Sequence, residues 1–116
     1  MGELDGKVAI ITGAGRLRGI GRAAAVSLAR LGADVVVTGT GRDPSSFPDD
    51  EKAINWKDVE SVAEQVRAEG TRALTLTVDV TSREDVQSMI DRTVEEFGRI
   101  DTVSYTHLTL PTILLV

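Results

Sequence analysis

The sequence predicts an α/β fold in which helices cover both faces of a parallel sheet. Short apolar runs alternate along the chain with segments in which apolar residues recur at helical spacing. A cluster of glycines separates the first apolar run from the first helical segment. Since successive parallel strands need a crossover connection, this alternation indicates strands joined by right-handed helical crossovers.

The first part of the pattern contains two strands and one helix. The run Val8-Ala9-Ile10-Ile11, within residues 7–12, predicts a strand buried on both faces. Residues 20–31 have an apolar face and precede Gly32, which predicts a helix that ends at a glycine cap. Three consecutive valines within residues 34–38 then predict a second buried strand.

The second part predicts a loop, two helices and two strands. Residues 39–55 carry prolines, glycines, serines and a run of acidic residues, which predicts a long loop with no element of its own. A helix is expected over 56–69 and an alternating strand over 73–80. Thr81 and Glu84 have the spacing of a capping box before a helix that reaches Phe97. A fourth strand is expected to begin at 100–103.

Composition restricts the class of protein. At 116 residues, with 41% hydrophobic and 27% charged residues, the chain is expected to form one globular domain. Its 18 acidic and 13 basic residues argue against a nucleic-acid partner. The absence of cysteine and the single His107 argue against a disulfide and against a metal site. No signal peptide or membrane-spanning run is apparent, which favours a cytoplasmic protein with no membrane partner.

The glycine cluster between the first strand and the first helix is suited to binding phosphate. It runs from Thr12 to Gly21, where backbone amides at a helix amino end can approach a diphosphate. We expect Gly13 to allow a tight turn, Gly19 a close approach of phosphate, and Gly21 the packing of helix on strand. An ATP-hydrolysing loop is disfavoured because Arg22 and Ala23 follow Gly21 in place of Lys-Ser/Thr.

With this loop the chain resembles the short-chain dehydrogenase/reductase family over residues 5 to about 102. The family signature opens Thr-Gly-x-x-x-Gly-x-Gly, and its third strand ends in an Asp-Val pair like Asp79-Val80. Five residues separate Gly13 from Gly19 here, in place of three. This spacing resembles the enoyl-reductase branch, whereas Gly19-Ile20-Gly21-Arg22 resembles 3-oxoacyl-[acyl-carrier-protein] reductases. The resemblance implies the N-terminal half of a doubly wound Rossmann sheet with three α/β/α layers.

The resemblance also implies a dinucleotide cofactor and the residues that bind it. Asp79 would bind the adenine amino group and the Val80 main chain would back the ring; alternatively, Asp79 merely ends a strand and Thr81 caps the helix. The expected cofactor-binding residues are Gly13, Gly15, Arg16, Arg18, Gly19, Ile20, Gly21, Arg42, Asp79 and Val80.

The sequence favours NADP over NAD. No carboxylate lies at the end of the second strand, in residues 38–42, to repel a 2′-phosphate, while Arg18 and Arg42 are available to pair with it. A solvated loop charge is the alternative interpretation of both arginines. Asp43 is adjacent and keeps NAD possible.

No catalytic residue is predicted in this chain. The family uses a Ser and a Tyr-x-x-x-Lys arrangement, in which lysine lowers the tyrosine pKa. Here Tyr105 is followed four positions later by Thr109, and every lysine lies far upstream. His107 has no recognisable nucleophile or carboxylate beside it. The resemblance implies a parent protein, usually a homo-oligomer, that transfers hydride between NADPH and a carbonyl/alcohol pair, while this fragment is inactive. A stand-alone dinucleotide-binding half-domain is the alternative.

The domain prediction places an NAD(P)-binding half-domain at 1–102 and a non-native tail at 103–116. After Asp101 the family continues Asp-x-Leu-Val-Asn-Asn-Ala-Gly, whereas residues 103–112 look like the translation of a DNA-sequencing adapter. An edge strand is the alternative for the tail. The segment 39–55 is expected to be either an adenosine-side flap or an insertion without functional consequence, with the second favoured. Trp56 is expected to pack rather than to recognise a ligand.

Overall fold

Strands and helices alternate along the chain in the predicted order. The computed structural model describes residues 2–15, 19–41, 45 and 47–105. The elements are β1 (Val8–Thr12), α1 (Ile20–Arg30), β2 (Asp34–Gly39), α2 (Asp49–Ala53), α3 (Val59–Ala68), β3 (Ala73–Thr77), α4 (Arg83–Phe97) and β4 (Thr102–Tyr105).

Within the described residues, four parallel strands form one sheet in the order β3-β2-β1-β4. In its register, Ile10 pairs with Val36 on one side and with Val103 on the other. The three valines of β2 and all of β1 are buried, as the apolar runs predict. The parallel α/β fold expected from the sequence is therefore confirmed.

Alternate residues of the central strands face two different layers of helices. Ile11, Val35 and Val37 pack with α1 and α3, whereas Ile10 and Val36 pack with α4 through Met89. This division follows from the two-residue period of a strand. The helices therefore cover both faces of the sheet.

The prediction of an element-free loop over 39–55 is wrong, because α2 forms within it. Pro48 precedes this short helix with a φ of −59°, and three acidic residues occupy its first turn. Proline before the first turn and carboxylates at the positive end of a helix both favour helix initiation. Phe47, Glu51 and Trp56 are buried, so tertiary packing completes the element.

Three predicted boundaries also shift. The strand expected over 73–80 ends at Thr77. The helix expected from residue 56 begins at Val59, because Asp58 takes a non-helical conformation with φ of 56°. The predicted capping box is displaced by one residue: Ser82 caps α4, and its hydroxyl accepts from the Asp85 N–H at 3.2 Å. Ser82 rather than Thr81 is thus the N-cap residue, while the Thr81 hydroxyl donates to Asp79 at 2.6 Å.

Asp101 ties the start of β4 to the start of β1. Its Oδ2 accepts from the Val8 N–H at 2.7 Å, and the Asp101 N–H donates to the Val8 carbonyl at 2.9 Å. The Arg99 guanidinium donates to both carboxylate oxygens, at 2.6 and 2.9 Å. The Arg99 hydrogen bond and, next, the Val8 N–H lower the pKa of Asp101.

We expect this carboxylate to make stability depend on acid. Because the pKa of Asp101 is lower in the folded chain, its contribution is complete above the unfolded pKa of about 3.9 and is lost as pH falls through the folded value. Asp101→Asn should therefore be less stable at neutral pH and should lose less stability on acidification. Urea unfolding midpoints measured from about pH 6 to pH 2 test this.

Asp91→Asn is the matched control for that experiment, because Asp91 is an exposed carboxylate on α4. It should keep the acid dependence of the unaltered chain. An Asp101→Asn variant whose midpoint falls with acid as steeply as that of Asp91→Asn would contradict the assignment.

Candidate functional site

The carboxyl ends of the parallel strands bring the predicted site segments to one edge of the sheet. The segments 13–15, 39–41 and 78–80 follow β1, β2 and β3 respectively. β1 lies between β2 and β4, so the order of strands reverses beside it. In open α/β sheets ligands bind outside the carboxyl ends at such a switch point. The glycine loop after β1 occupies this position.

The glycine loop turns tightly and packs against α1. Gly13 has a φ of 64°, a conformation that glycine adopts without strain. The Ala14 N–H donates to the Thr38 carbonyl at 2.9 Å, which joins the loop to the end of β2. A Cβ on Gly21 would lie 2.9 Å from the Ala14 Cα and 3.3 Å from the Gly13 carbonyl oxygen. Only a residue without a side chain allows this approach of α1 to the loop.

The amino end of α1 is suited to an anion. Gly19 is the N-cap and provides no side-chain cap, and the first turn contains no acidic residue. The N-terminal N–H groups and the helix dipole therefore favour a negative ligand. The adjoining Ile20 side chain is 79% exposed. Arg16 and Arg18 lie outside the described residues.

Trp56 holds the glycine loop from the opposite side. Its indole Nε1–H donates to the Gly15 carbonyl at 2.6 Å, and the residue is 7% exposed. The expected packing role of Trp56 agrees with this burial. A buried indole N–H needs an acceptor, but no sequence pattern identifies Gly15 as that acceptor.

Asp58 brings a carboxylate to the glycine loop and to the end of β2. It lies directly against Gly15, in the volume that a side chain there would occupy. Its Oδ2 lies 3.1 Å from the position of a Cβ on Gly39, the last residue of β2. Residues 38–42 contain no carboxylate, as the sequence argument states, but the fold brings the Asp58 carboxylate to this strand end. The chain returns to the strand end after α2, and residues 38–42 alone give no sign of this.

Asp79 and Val80 follow β3 at the same edge of the sheet. Asp79 Oδ1 accepts from the Thr81 N–H at 2.9 Å and from the Thr81 hydroxyl at 2.6 Å. These bonds, the hydroxyl first, lower the pKa of Asp79, so its carboxylate is ionised at neutral pH. Val80 packs against the cluster around Met89. The alternative in which Thr81 caps the helix is wrong, since Ser82 does so; adenine binding by Asp79 stays a prediction.

Some of the other residues considered from the sequence lie in the described part of the chain and some do not. Arg42, Asp43 and His107 lie outside the described residues. The Tyr105 backbone pairs with Thr12 in the sheet. Within residues 2–15, 19–41, 45 and 47–105, no group of three or more acidic or histidine side chains could hold a metal ion. In the same residues, no helix is long and apolar enough to cross a membrane.

The chain is similar to known oxidoreductases over most of its length. Residues 7–106 match the family model described as short chain dehydrogenase. Versicolorin reductase 1 from Dothistroma septosporum is 40% identical over 102 residues, which cover 88% of this chain and 33% of that protein. A 12alpha-hydroxysteroid dehydrogenase from Clostridium sp. is 38% identical over 107 residues, covering 89% of this chain and 36% of the relative.

Solved structures show the same similarity. Carveol dehydrogenase from Mycobacterium avium, in complex with NAD, superposes with a TM-score of 0.70 at 35% identity, covering 89% of this chain and 36% of that one. An NAD+-bound xylitol dehydrogenase superposes with a TM-score of 0.68 at 32% identity, covering 87% of this chain and 33% of that one. The chain thus spans about a third of the length of the curated relatives it matches.

Proposed function

The chain belongs to the short chain dehydrogenase family, and on that premise we propose that it is the dinucleotide-binding part of an NAD(P)-dependent oxidoreductase. The observation that carries this proposal is the glycine loop at the strand-order reversal, closed against α1 at Gly21. A nicotinamide ring, when bound, supplies hydride acceptance and donation. We propose that the larger protein transfers hydride between this cofactor and a carbonyl/alcohol pair.

The described residues fit such a cofactor. Gly13, Gly15 and Gly21 give the loop three positions without a side chain, and the amino end of α1, where Gly19 provides no side-chain cap, supplies N–H groups for a diphosphate. Asp79 and Val80 lie at the same sheet edge, where we propose that they bind adenine. The chain's own contribution is to bind and orient the dinucleotide.

We propose that the chain by itself has no turnover. Its sequence contains no Tyr-x-x-x-Lys arrangement that could transfer a proton in the family manner. A dinucleotide-binding module without catalysis is the second candidate function, and the described part of the glycine loop supports it equally. An assay of a longer gene product, of the length of the relatives, distinguishes the two candidate functions. Turnover of a carbonyl substrate with NAD(P)H would favour the oxidoreductase.

The test of binding is a titration of the purified chain with NADH and NADPH, followed by nicotinamide fluorescence and by thermal unfolding. We expect saturable binding of at least one of them, accompanied by a rise in Tm. A chain that unfolds cooperatively and binds neither would overturn the proposal.

We also propose that residues 103–116 do not derive from the natural gene. β4 continues past the proposed boundary to Tyr105, and residues 106–116 lie outside the described part of the chain. Strand pairing of 103–105 with β1 requires only backbone groups, so it is compatible with a foreign sequence. Sequencing the source gene across this junction tests the idea, and native codons running unbroken through residue 116 would reject it.

The choice between NADP and NAD depends on the 2′-position of the adenosine ribose. The sequence favours NADP because of Arg18 and Arg42, which lie outside the described residues, and because residues 38–42 contain no carboxylate. Asp58 supplies that carboxylate. The described residues therefore favour NAD.

A further inference from the structure

The carboxylate of Asp58 occupies a slot between two glycines that follow different strands. Gly15 belongs to the loop after β1, and Gly39 ends β2. A side chain on Gly15 would overlap the Asp58 carboxylate, and one on Gly39 would lie 3.1 Å from its Oδ2. The two missing side chains leave room for an acidic group at this position. The carboxylate lies at the carboxyl ends of adjacent strands, at the sheet edge where we propose that the dinucleotide binds.

The surrounding structure holds Asp58 in place. Its φ of 56° is unusual for a residue other than glycine and persists only where neighbouring contacts determine it. Two positions earlier, Trp56 is anchored on the Gly15 carbonyl at 2.6 Å. On the other side, the Asp58 carbonyl accepts from the Ser61 N–H at 3.1 Å in the first turn of α3. The residue is 9% exposed, so its carboxylate cannot swing freely into solvent.

We propose that Asp58 determines cofactor specificity by accepting a hydroxyl of the adenosine ribose, so that the chain prefers NAD(H) to NADP(H). This inference rests on the proposed dinucleotide function. An acidic residue at the end of the second strand performs this task in NAD-binding domains. Here it comes from the start of α3 and reaches the strand end through space.

The chemistry of the two ribose forms explains the preference. A carboxylate has about four lone-pair positions, so it accepts a ribose hydroxyl in addition to other hydrogen bonds. A 2′-phosphate removes the donor and brings about 1.5 to 2 further negative charges beside the carboxylate. The nine-tenths burial of Asp58 reduces screening of that repulsion. The adenosine half of the cofactor alone should therefore show the discrimination.

The experiment compares the full chain with Asp58→Asn and with Asp91→Asn, which removes an exposed carboxylate on α4. Dissociation constants are measured for NADH and NADPH by nicotinamide fluorescence. Adenosine 5′-monophosphate and adenosine 2′,5′-bisphosphate are compared by the shift in Tm. We expect the unaltered chain to bind NADH at least about tenfold more tightly than NADPH, and Asp58→Asn to reduce this ratio by about tenfold. Asp91→Asn should leave the ratio unchanged.

The outcomes separate this inference from the proposed function. Tighter binding of NADPH than NADH by the unaltered chain overturns the role of Asp58, whatever the variants do. An unchanged ratio in a cooperatively folded Asp58→Asn variant also overturns it, while leaving dinucleotide binding intact. If the variant does not fold, a preference of the unaltered chain for the 2′,5′-bisphosphate over the monophosphate still rejects the inference. Binding of neither cofactor by the folded chain overturns the proposed function and this inference with it.

Discussion

Trp56→Ala is expected to lower the free energy of unfolding by about 3–5 kcal/mol, the range found when a large buried aromatic side chain is truncated. Trp56 belongs to the buried cluster that includes residues of α1 and α3, and its loss leaves a cavity in that cluster. It also removes the donor to the Gly15 carbonyl. Urea unfolding followed by far-ultraviolet circular dichroism measures the change, since Trp56 is the chain's single tryptophan and the variant has no indole signal.

A second variant separates packing from hydrogen bonding at Trp56. Trp56→Phe keeps an aromatic ring and loses the N–H, so about 1–3 kcal/mol is expected from the lost hydrogen bond to the buried Gly15 carbonyl and from the smaller ring. Ile54→Ala is the matched control, because Ile54 lies two positions away and is 59% exposed. Its effect should stay within about 0.5 kcal/mol. Equal midpoints for Trp56→Ala and Ile54→Ala would contradict the assigned burial of Trp56.

Gly21→Val is expected to destabilise the chain by about 3 kcal/mol and to abolish dinucleotide binding. Helix propensity alone predicts the opposite sign, since valine is a better helix former than glycine by a few tenths of a kcal/mol. The steric term decides because a Cβ would lie 2.9 Å from the Ala14 Cα, a backbone atom that cannot move without displacing the loop. Thermal unfolding and the NADH titration measure the two effects.

Ser27→Val is the control for this substitution. Ser27 lies on the exposed side of α1, where an added valine meets no buried backbone. Serine and valine have similar helix propensities, so a change within about 0.5 kcal/mol is expected. Should Gly21→Val unfold at the same temperature as Ser27→Val, the close approach of α1 to the loop would be disproved.

Most of the fold follows from local patterns in the sequence. β1 and β2 are buried on both faces and α1 ends beside Gly32, as the apolar runs and the glycine predict. The parallel sheet follows from the alternation of strands and helices, since only crossovers can join successive parallel strands. The same reasoning identifies the glycine loop, because a strand, a turn and a helix in immediate succession define its environment.

The segment between β2 and α3 shows where local patterns fail. Its prolines, serines and acidic residues are typical of a loop, and a helix of five residues has too few internal hydrogen bonds to be stable alone. Burial of Phe47 and Trp56 against the sheet stabilises α2, so its existence depends on contacts that are distant in sequence. The capping-box spacing likewise predicts Thr81 as the cap of α4, whereas Ser82 caps it in the structure.

The sequence by itself determined the α/β class, the order of the main elements, the parallel sheet and the glycine loop, because each depends on periodicity or on glycines adjacent along the chain. Tertiary structure alone decided α2, the bond from Trp56 to Gly15 and the position of Asp58 at the end of β2. These three features depend on the segment between β2 and α3, which leaves the sheet after β2 and returns to the glycine loop at Trp56 and Asp58. Their geometry arises from burial of aromatic side chains, which has no fixed spacing in sequence.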